Sequence, residues 1–263
     1  MNDKRICTAC GTQLPLNGVR PELCPICNGD RQYVPEKGQT WTDLADLSND
    51  YSVVVKKLND RLYELRMAPS FAIAQRALLV LTPGGNVLWD CIALLNEPTI
   101  EFIKSKGGLK AIAFSRPHYY STMNEWAGVF DCPLYIHQSD EQWIFNRGDH
   151  VQLWSGAEKE LWDGMRLINI GGHFPGSSIL HIPFLSPGGT VLCGDTFAIA
   201  PGKKHISVMY SYPNRIPLPL AEMQRIKKQV TRLPFDTMHG YADAQNIYGN
   251  AKELLETSLE KYI

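Results

Sequence analysis

The sequence predicts a small metal-stapled module followed by a larger domain of the α/β or α+β class, with two sheets sandwiched by helices. Three observations support this. Four of the seven cysteines lie within the first 27 of the 263 residues. From residue 51 onward, apolar segments with strand periodicity alternate with segments of helix periodicity. No solenoid repeat and no low-complexity segment interrupts that alternation.

The first cysteines form two pairs, Cys7-x-x-Cys10 and Cys24-x-x-Cys27, in a segment with few apolar residues. Each pair can aim two thiolates at one ion, and two pairs complete a tetrahedron. The ion would then supply the folding energy of residues 1–40. The segment resembles a zinc ribbon and also the rubredoxin-like module of some redox proteins. Four thiolates hold zinc or iron equally well, so both metals stay open.

The charge balance argues against nucleic acid and membrane partners. The 26 basic side chains nearly cancel the 27 acidic ones, and no apolar run approaches the ~18 residues that cross a bilayer. The module itself has a net charge of about +1, or about −1 with four thiolates on a divalent ion, and no basic stripe. A structural or protein-docking role fits it better. The start of the chain lacks the features of a secretory signal, so we expect a cytoplasmic protein.

Residues 41–263 form the predicted main domain, and residues 33–50 read as a linker and polar entry into it. Paired strands are predicted around turns at Asn59-Asp60 and Gly84-Gly85, followed by a mixed βα region. The predicted strands are 51–57, 61–67, 77–83, 86–91, 111–115 and 133–137. The predicted helices are 97–108, 122–130, 220–233 and 247–259.

Four short loops of this domain place a His or Asp beside Gly or Pro, where tight turns gather ligands. They are SRPHYYS (115–121), GGHFPGS (171–177), CGDT (193–196) and MHG (238–240). Histidine and carboxylate are the ligands of hydrolytic zinc, iron or manganese sites. A further stretch, 205–220, is rich in Tyr and Pro and either lines a pocket or forms an edge connection.

In this order and spacing, with Asp90 at the end of a preceding strand, the loops resemble those of the metallo-β-lactamase fold. The resemblance covers about residues 50–263. It implies a four-layered αβ/βα sandwich with an active site on one edge of the two sheets. It also implies metal-dependent hydrolysis of an ester, thioester, lactam or phosphodiester. Asp90 would orient the ligand loop through hydrogen bonds.

The first loop departs from the superfamily pattern HxHxDH. Its four ligand places hold Arg116, His118, Tyr120 and Ser121, whereas the bacterial branch that this sequence resembles most carries HPHYYS. A guanidinium has no lone pair to donate and is always charged. The resemblance therefore leaves a reduced ligand set for one divalent zinc, iron or manganese ion: His118, His173, Asp195 and His239.

The leading hypothesis is a metal-dependent hydrolase that acts on a small-molecule substrate. Asp195 would accept the proton, while Arg116 or Tyr120 would steady the developing anion. One alternative is a catalytically degenerate member that binds a small molecule or a partner in the same pocket. Another is a redox protein with iron in the four-cysteine module.

Overall fold

The structure is a computed structural model that describes residues 4–263. Asp3, which the charge count of the module includes, lies outside these residues. Two mixed sheets stack face to face, and helices cover their outer sides, as expected for the four-layered sandwich. None of the helices in the described residues combines the length and the apolar character needed to span a membrane.

The cysteine module forms a two-stranded sheet that reaches past residue 40. Strand β1 (Ile6–Cys7) pairs antiparallel with β2 (Trp41–Thr42), and helix α1 (Leu44–Asp50) follows. The side chain of Asp43 caps this helix by accepting a hydrogen bond from a backbone amide of its first turn. Residues 33–50 are therefore not only a linker. The boundary between residues 40 and 41 stays a prediction, although the strand pairing crosses it.

The first large sheet has seven strands that lie side by side in chain order. Its first four strands pair antiparallel, and the last four pair parallel through crossovers that include helices α2 (Glu97–Ser105) and α3 (Met123–Phe130). The strands are β3 (Ser52–Asn59), β4 (Leu62–Ala68), β5 (Arg76–Val80), β6 (Val87–Trp89), β7 (Ala111–Ala113), β8 (Leu134–His137) and β9 (Val151–Trp154).

The second large sheet has six strands and two helices on its outer face. It begins with β10 (Glu158–Glu160), β11 (Arg166–Asn169), β12 (Ser178–Ile182) and β13 (Thr190–Gly194). Two small hairpins follow, β14 (Ala198–Ile199) with β15 (Ile206–Ser207) and β16 (Met209–Ser211) with β17 (Ile216–Pro217). Helix α4 (Leu220–Val230), β18 (Thr237–Gly240), β19 (Asn246–Ile247) and helix α5 (Ala251–Glu260) complete it. The strand order is β10-β11-β12-β13-β18-β19.

The pleat of β5 shows why the layers form. All five residues of this strand are buried, and successive side chains point to opposite faces. Ala77 and Leu79 pack in the core under α2 and α3, whereas Leu78 and Val80 face the second sheet. An apolar run buried on both faces is therefore what a sheet in the middle of four layers requires.

The ends of α2 illustrate where the sequence prediction was close. Asn96 caps its first turn, since its side chain accepts a hydrogen bond from the backbone amide of Thr99 at 3.2 Å. The helix ends at Ser105 and not at residue 108, because Gly107 and Gly108 adopt positive φ angles of 101° and 74°. The other predicted strands and helices occur with shifts of a few residues.

Candidate functional site

The four cysteines of the module form one buried cluster. Their Sγ atoms all lie within 4.8 Å of one another, with 3.7 Å between Cys7 and Cys27 and 3.6 Å between Cys10 and Cys24. A tetrahedral ion with metal–sulfur bonds of about 2.3 Å places its sulfurs about 3.8 Å apart. Gln39 Nε2 donates a hydrogen bond to Cys7 Sγ at 3.1 Å, which stabilises a thiolate. This donor set fits one zinc or iron ion.

Within residues 4–263 this cluster is the only group of three or more cysteines, histidines or carboxylates close enough to share an ion. The candidate ligands of the main domain are His118, His173, Asp195 and His239. They do not lie close enough together to share one ion.

Asp90 holds the loop that carries His118. It directly follows β6 with a positive φ of 64°, and because β6 and β7 are parallel, its carboxylate reaches the end of β7. There it accepts hydrogen bonds from the backbone amide of Ser115 at 2.7 Å and from its hydroxyl at 2.9 Å. Burial raises the pKa of Asp90 to about 7. The orienting role predicted for Asp90 is confirmed.

Arg116 follows Ser115 in this loop, and its guanidinium lies between two candidate ligands, His118 and Asp195. Nη1 donates to His118 Nδ1, and Nη2 donates to Asp195 Oδ2. The Arg116 side chain is only 3% exposed, and its guanidinium carbon lies 4.8 Å from the ring centroid of Tyr119. The positive charge of Arg116 therefore stands where a cation shared by His118 and Asp195 would stand.

The hydrogen bonds fix opposite tautomers for the two histidines. His173 Nδ1 lies 2.8 Å from the carbonyl oxygen of Tyr210, which can only accept, so Nδ1 carries the proton and Nε2 is an acceptor. His118 Nδ1 accepts from Arg116, so His118 Nε2 carries its proton. The two rings are nearly parallel, with centroids 6.2 Å apart.

Several polar atoms around Arg116 have no hydrogen-bond partner among the described residues. They are His118 Nε2, His173 Nε2, Asp195 Oδ1, Arg116 Nε and the Tyr119 hydroxyl. Burial, and then the Arg116 charge, lowers the pKa of both histidines well below its usual value. Burial raises the pKa of Asp195, while Arg116 opposes that shift. The neutral rings and the unpartnered atoms leave both donors and acceptors for a bound molecule, the acceptors being His173 Nε2 and Asp195 Oδ1.

His239 does not join this group. It is buried on β18, and its Nδ1 donates to Asn246 Oδ1 at 2.7 Å, an oxygen that also accepts from Arg76 at 3.0 Å. Burial lowers the pKa of His239 to about 4. The motif MHG predicted a ligand here, but the ring is absent from the lining of the cavity described below.

Tyr120 and Ser121 also face away from the cavity. The Tyr120 ring packs edge-on against Phe114 in the core, with centroids 5.2 Å apart. The Ser121 hydroxyl donates to the carbonyl of Gly11 in the cysteine module at 3.1 Å. The structure therefore does not place Tyr120 where it could steady an anion, and Arg116 alone of the two predicted residues reaches the site.

The site is a cavity of about 190 Å³ at the edge of the two sheets. The predicted residues Arg116, His118, His173 and Asp195 line it, and so do Tyr212 and Pro213 of the 205–220 stretch. Sequence reasoning missed the remaining lining residues, since no motif marks them: Arg31, Gln32, Ile73, Ala198 and Tyr241. Two of these belong to the cysteine module, which therefore forms part of the cavity wall.

The main-domain donors do not fit a metal ion while Arg116 holds this position. The guanidinium already uses one atom each of His118 and Asp195 and brings a positive charge among them. At about 4 Å, two unit charges repel by about 4 kcal/mol at an intermediate dielectric.

Comparison with known proteins finds a relative that matches nearly the whole chain. It is 40% identical over 261 residues to the uncharacterized protein YmaE of Bacillus subtilis (strain 168), covering 98% of this chain and 95% of that protein. The chain belongs to the YmaE family. No model in a scan of protein-family models matches it.

Solved structures share the fold of this YmaE-family protein at low sequence identity. The metallo-β-lactamase DIM-1 has a TM-score of 0.59 at 12% identity, covering 81% of this chain and 98% of that chain. TMB-1 has a TM-score of 0.60 at 13% identity, covering 80% and 98%. TTHA1623, solved in a di-iron-bound form, has a TM-score of 0.52 at 19% identity, covering 71% and 97%. The metallo-β-lactamase fold is therefore confirmed.

Proposed function

We propose that this protein binds a small organic anion in the main-domain cavity, and that the guanidinium of Arg116 takes the place of a metal ion there. The observation that supports this is the pair of contacts from Arg116 to His118 Nδ1 and Asp195 Oδ2. The positive charge of Arg116 neutralises the buried Asp195 carboxylate without a metal ion. This is the alternative from the sequence analysis in which a catalytically degenerate member binds a small molecule in the pocket. The structure-based proposal adds that Arg116 occupies the position of the metal ion.

The charge and size of the cavity favour a monoanion with an apolar body. Two arginines and one carboxylate line it, and the histidines are neutral, so the lining carries a net charge of about +1. Its apolar wall includes Ile73, Tyr212 and Tyr241. A cavity of about 150 Å³ holds benzene in an engineered protein, so 190 Å³ suits a ligand of about eight heavy atoms. Small carboxylates meet both conditions.

At the cysteine cluster the proposal is one structural zinc ion. Its donor set is closed, with four buried thiolates and no open position in which a substrate could bind. The ion would hold the two turns of the module together and supply part of its folding energy. Iron stays the alternative for this site.

Metal-dependent hydrolysis is the second candidate function. The unpartnered atoms on three predicted ligands favour it: His118 Nε2, His173 Nε2 and Asp195 Oδ1. This candidate requires Arg116 to leave its present position. It predicts a second metal ion per chain and turnover on a panel of esters, thioesters, lactams and phosphodiesters, with loss of that turnover in His173→Ala.

Calorimetric titration of the full chain with matched carboxylates and amides tests the proposed function. Benzoate and benzamide have almost the same shape and differ in charge. We expect benzoate to bind at least about tenfold more tightly, because a charge-assisted hydrogen bond is worth about twice a neutral one. Equal affinity for the two, or no binding of benzoate or of other small carboxylates, would contradict the proposal.

A further inference from the structure

Each cysteine pair of the module is connected by hydrogen bonds to one histidine loop of the cavity. For the first pair, Gln75 Nε2 donates to the carbonyl of Cys10 at 2.6 Å and to that of His118 at 3.2 Å. One amide thus joins a metal-binding turn to the backbone of the His118 loop. The Ser121–Gly11 hydrogen bond adds a second tie between the same two loops.

The second cysteine pair is connected to the His173 loop through Arg31, four residues after Cys27. Its Nε donates to the carbonyl of His173 at 2.5 Å. Its guanidinium lies over the Tyr210 and Phe174 rings, at 4.0 Å and 4.5 Å from their centroids. The Ser211 hydroxyl donates to the Arg31 carbonyl at 3.0 Å. These contacts hold the side chain against the cavity wall, and it is only 14% exposed.

The guanidinium of Arg31 keeps donor capacity for a ligand. Nε is used by His173, and Nη1 reaches the exposed carboxylate of Asp30 at 3.2 Å. Nη2 is the remaining donor group. Arg116, by contrast, is already paired with Asp195, so its charge is largely compensated. Arg31 also has a carboxylate partner, but Asp30 is 65% exposed and water screens that ion pair, so Arg31 is the arginine better able to pair with an anion.

We propose that Arg31 recognises the negatively charged group of the ligand, so that the cavity is complete only when the cysteine module holds its metal ion. This inference rests on the proposed function. The ion fixes the fold of the segment that carries Arg31, and the same segment fixes the backbone of both histidine loops. The module is thus a functional part of the binding site and not an appended domain.

The first test compares Arg31→Gln with Arg20→Gln, using benzoate and benzamide as probes on the metal-loaded full chain. Arg20 belongs to the same module, is exposed and does not line the cavity, so it is the matched control. We expect Arg31→Gln to weaken benzoate binding about tenfold or more and benzamide binding much less, and to leave the metal content unchanged, whereas Arg20→Gln should behave as the wild type. Arg31→Lys should keep part of the benzoate affinity, because it keeps the charge.

The second test removes the ion. We expect chelator-treated protein to lose benzoate binding while far-ultraviolet circular dichroism shows the main domain folded, and zinc to restore binding. The inference is overturned if Arg31→Gln, or the metal-free protein, binds benzoate as the loaded wild type does. Failure of the wild type itself to bind carboxylates would instead overturn the proposed function. The two failures are therefore distinguishable.

Discussion

Arg116 donates from Nη2 to the carboxylate of Asp195, and both side chains are buried within the cavity wall. This ion pair joins the end of the first sheet to the end of β13 in the second. Arg116 is also the residue at which the SRPHYYS loop departs from the HPHYYS pattern. The arginine of that loop pairs with Asp195, the one acidic residue among the predicted ligands.

The stability of the protein should depend on keeping this pair whole. Arg116→Met leaves the Asp195 carboxylate buried without a counter-charge, so we expect the free energy of unfolding to fall by about 3 kcal/mol. The double variant Arg116→Met/Asp195→Asn should recover most of that loss, because no charge is then stranded. Urea unfolding of the three proteins measures both effects. Equal losses in the single and double variants would contradict the pairing.

The last residue of β13, Gly194, should tolerate no side chain. A Cβ there would lie 2.2 Å from the Ser115 hydroxyl, and φ is +52°. We expect Gly194→Ala to destabilise the protein by about 2 kcal/mol or more, since the Asp90–Ser115 contacts must shift. Gly202→Ala is the control, because a Cβ there meets nothing within 4 Å and φ is not positive. Thermal unfolding in which both variants behave alike would refute this account of Gly194.

Asp140 should give the protein a pH-dependent stability. Its carboxylate accepts a hydrogen bond from the Gly176 amide at 2.7 Å, and burial raises its pKa to about 7. Because the folded pKa lies above the unfolded value of about 3.9, its contribution is full below pH 4 and is lost as the pH rises through 7.

Asp140→Asn removes this titration, so the free energy of unfolding of the variant, relative to that of the wild type, should rise by up to about 4 kcal/mol between pH 4 and pH 8. Denaturant unfolding across that range measures the difference. Glu141→Gln, at an exposed neighbouring position, serves as the control and should follow the wild type. A constant difference between Asp140→Asn and wild type would show that the carboxyl group does not titrate in this range.

The cysteine cluster should bind one ion that gives no visible colour. Cys24→Ser is expected to lose the ion and part of the stability, whereas Cys132→Ser, a buried thiol outside the cluster, should keep both. Metal analysis and absorption spectra check this. A red protein whose absorption bleaches on reduction would establish iron, and with it the redox hypothesis.

Much of the fold follows from local patterns in the sequence. Apolar runs with strand periodicity and amphipathic segments with helix periodicity predicted the strands and helices, and the ordered loop motifs indicated the metallo-β-lactamase fold. Asp90 was recognisable because it ends a predicted strand that precedes the ligand loop in the chain. These features depend on neighbours in the chain or on motif order, which the sequence displays directly.

The rest of the site depends on contacts between distant segments. Arg31 lines the cavity only because its module docks on the loops of His118 and His173, and no periodicity encodes that docking. His239 lies on strand β18 instead of in a loop, its ring bonds to Asn246, and it does not line the cavity. A partner for the module and a cytoplasmic location stay predictions.

Metal content of the wild type and of Arg116→His tests the central claim most directly. Histidine at this position restores the HPHYYS pattern and removes the guanidinium from between His118 and Asp195. We predict one ion per chain in the wild type, lost in Cys24→Ser, and a second ion in Arg116→His that Cys24→Ser does not remove. Two ions per wild-type chain, with one retained in Cys24→Ser, would contradict the claim that Arg116 takes the place of the metal.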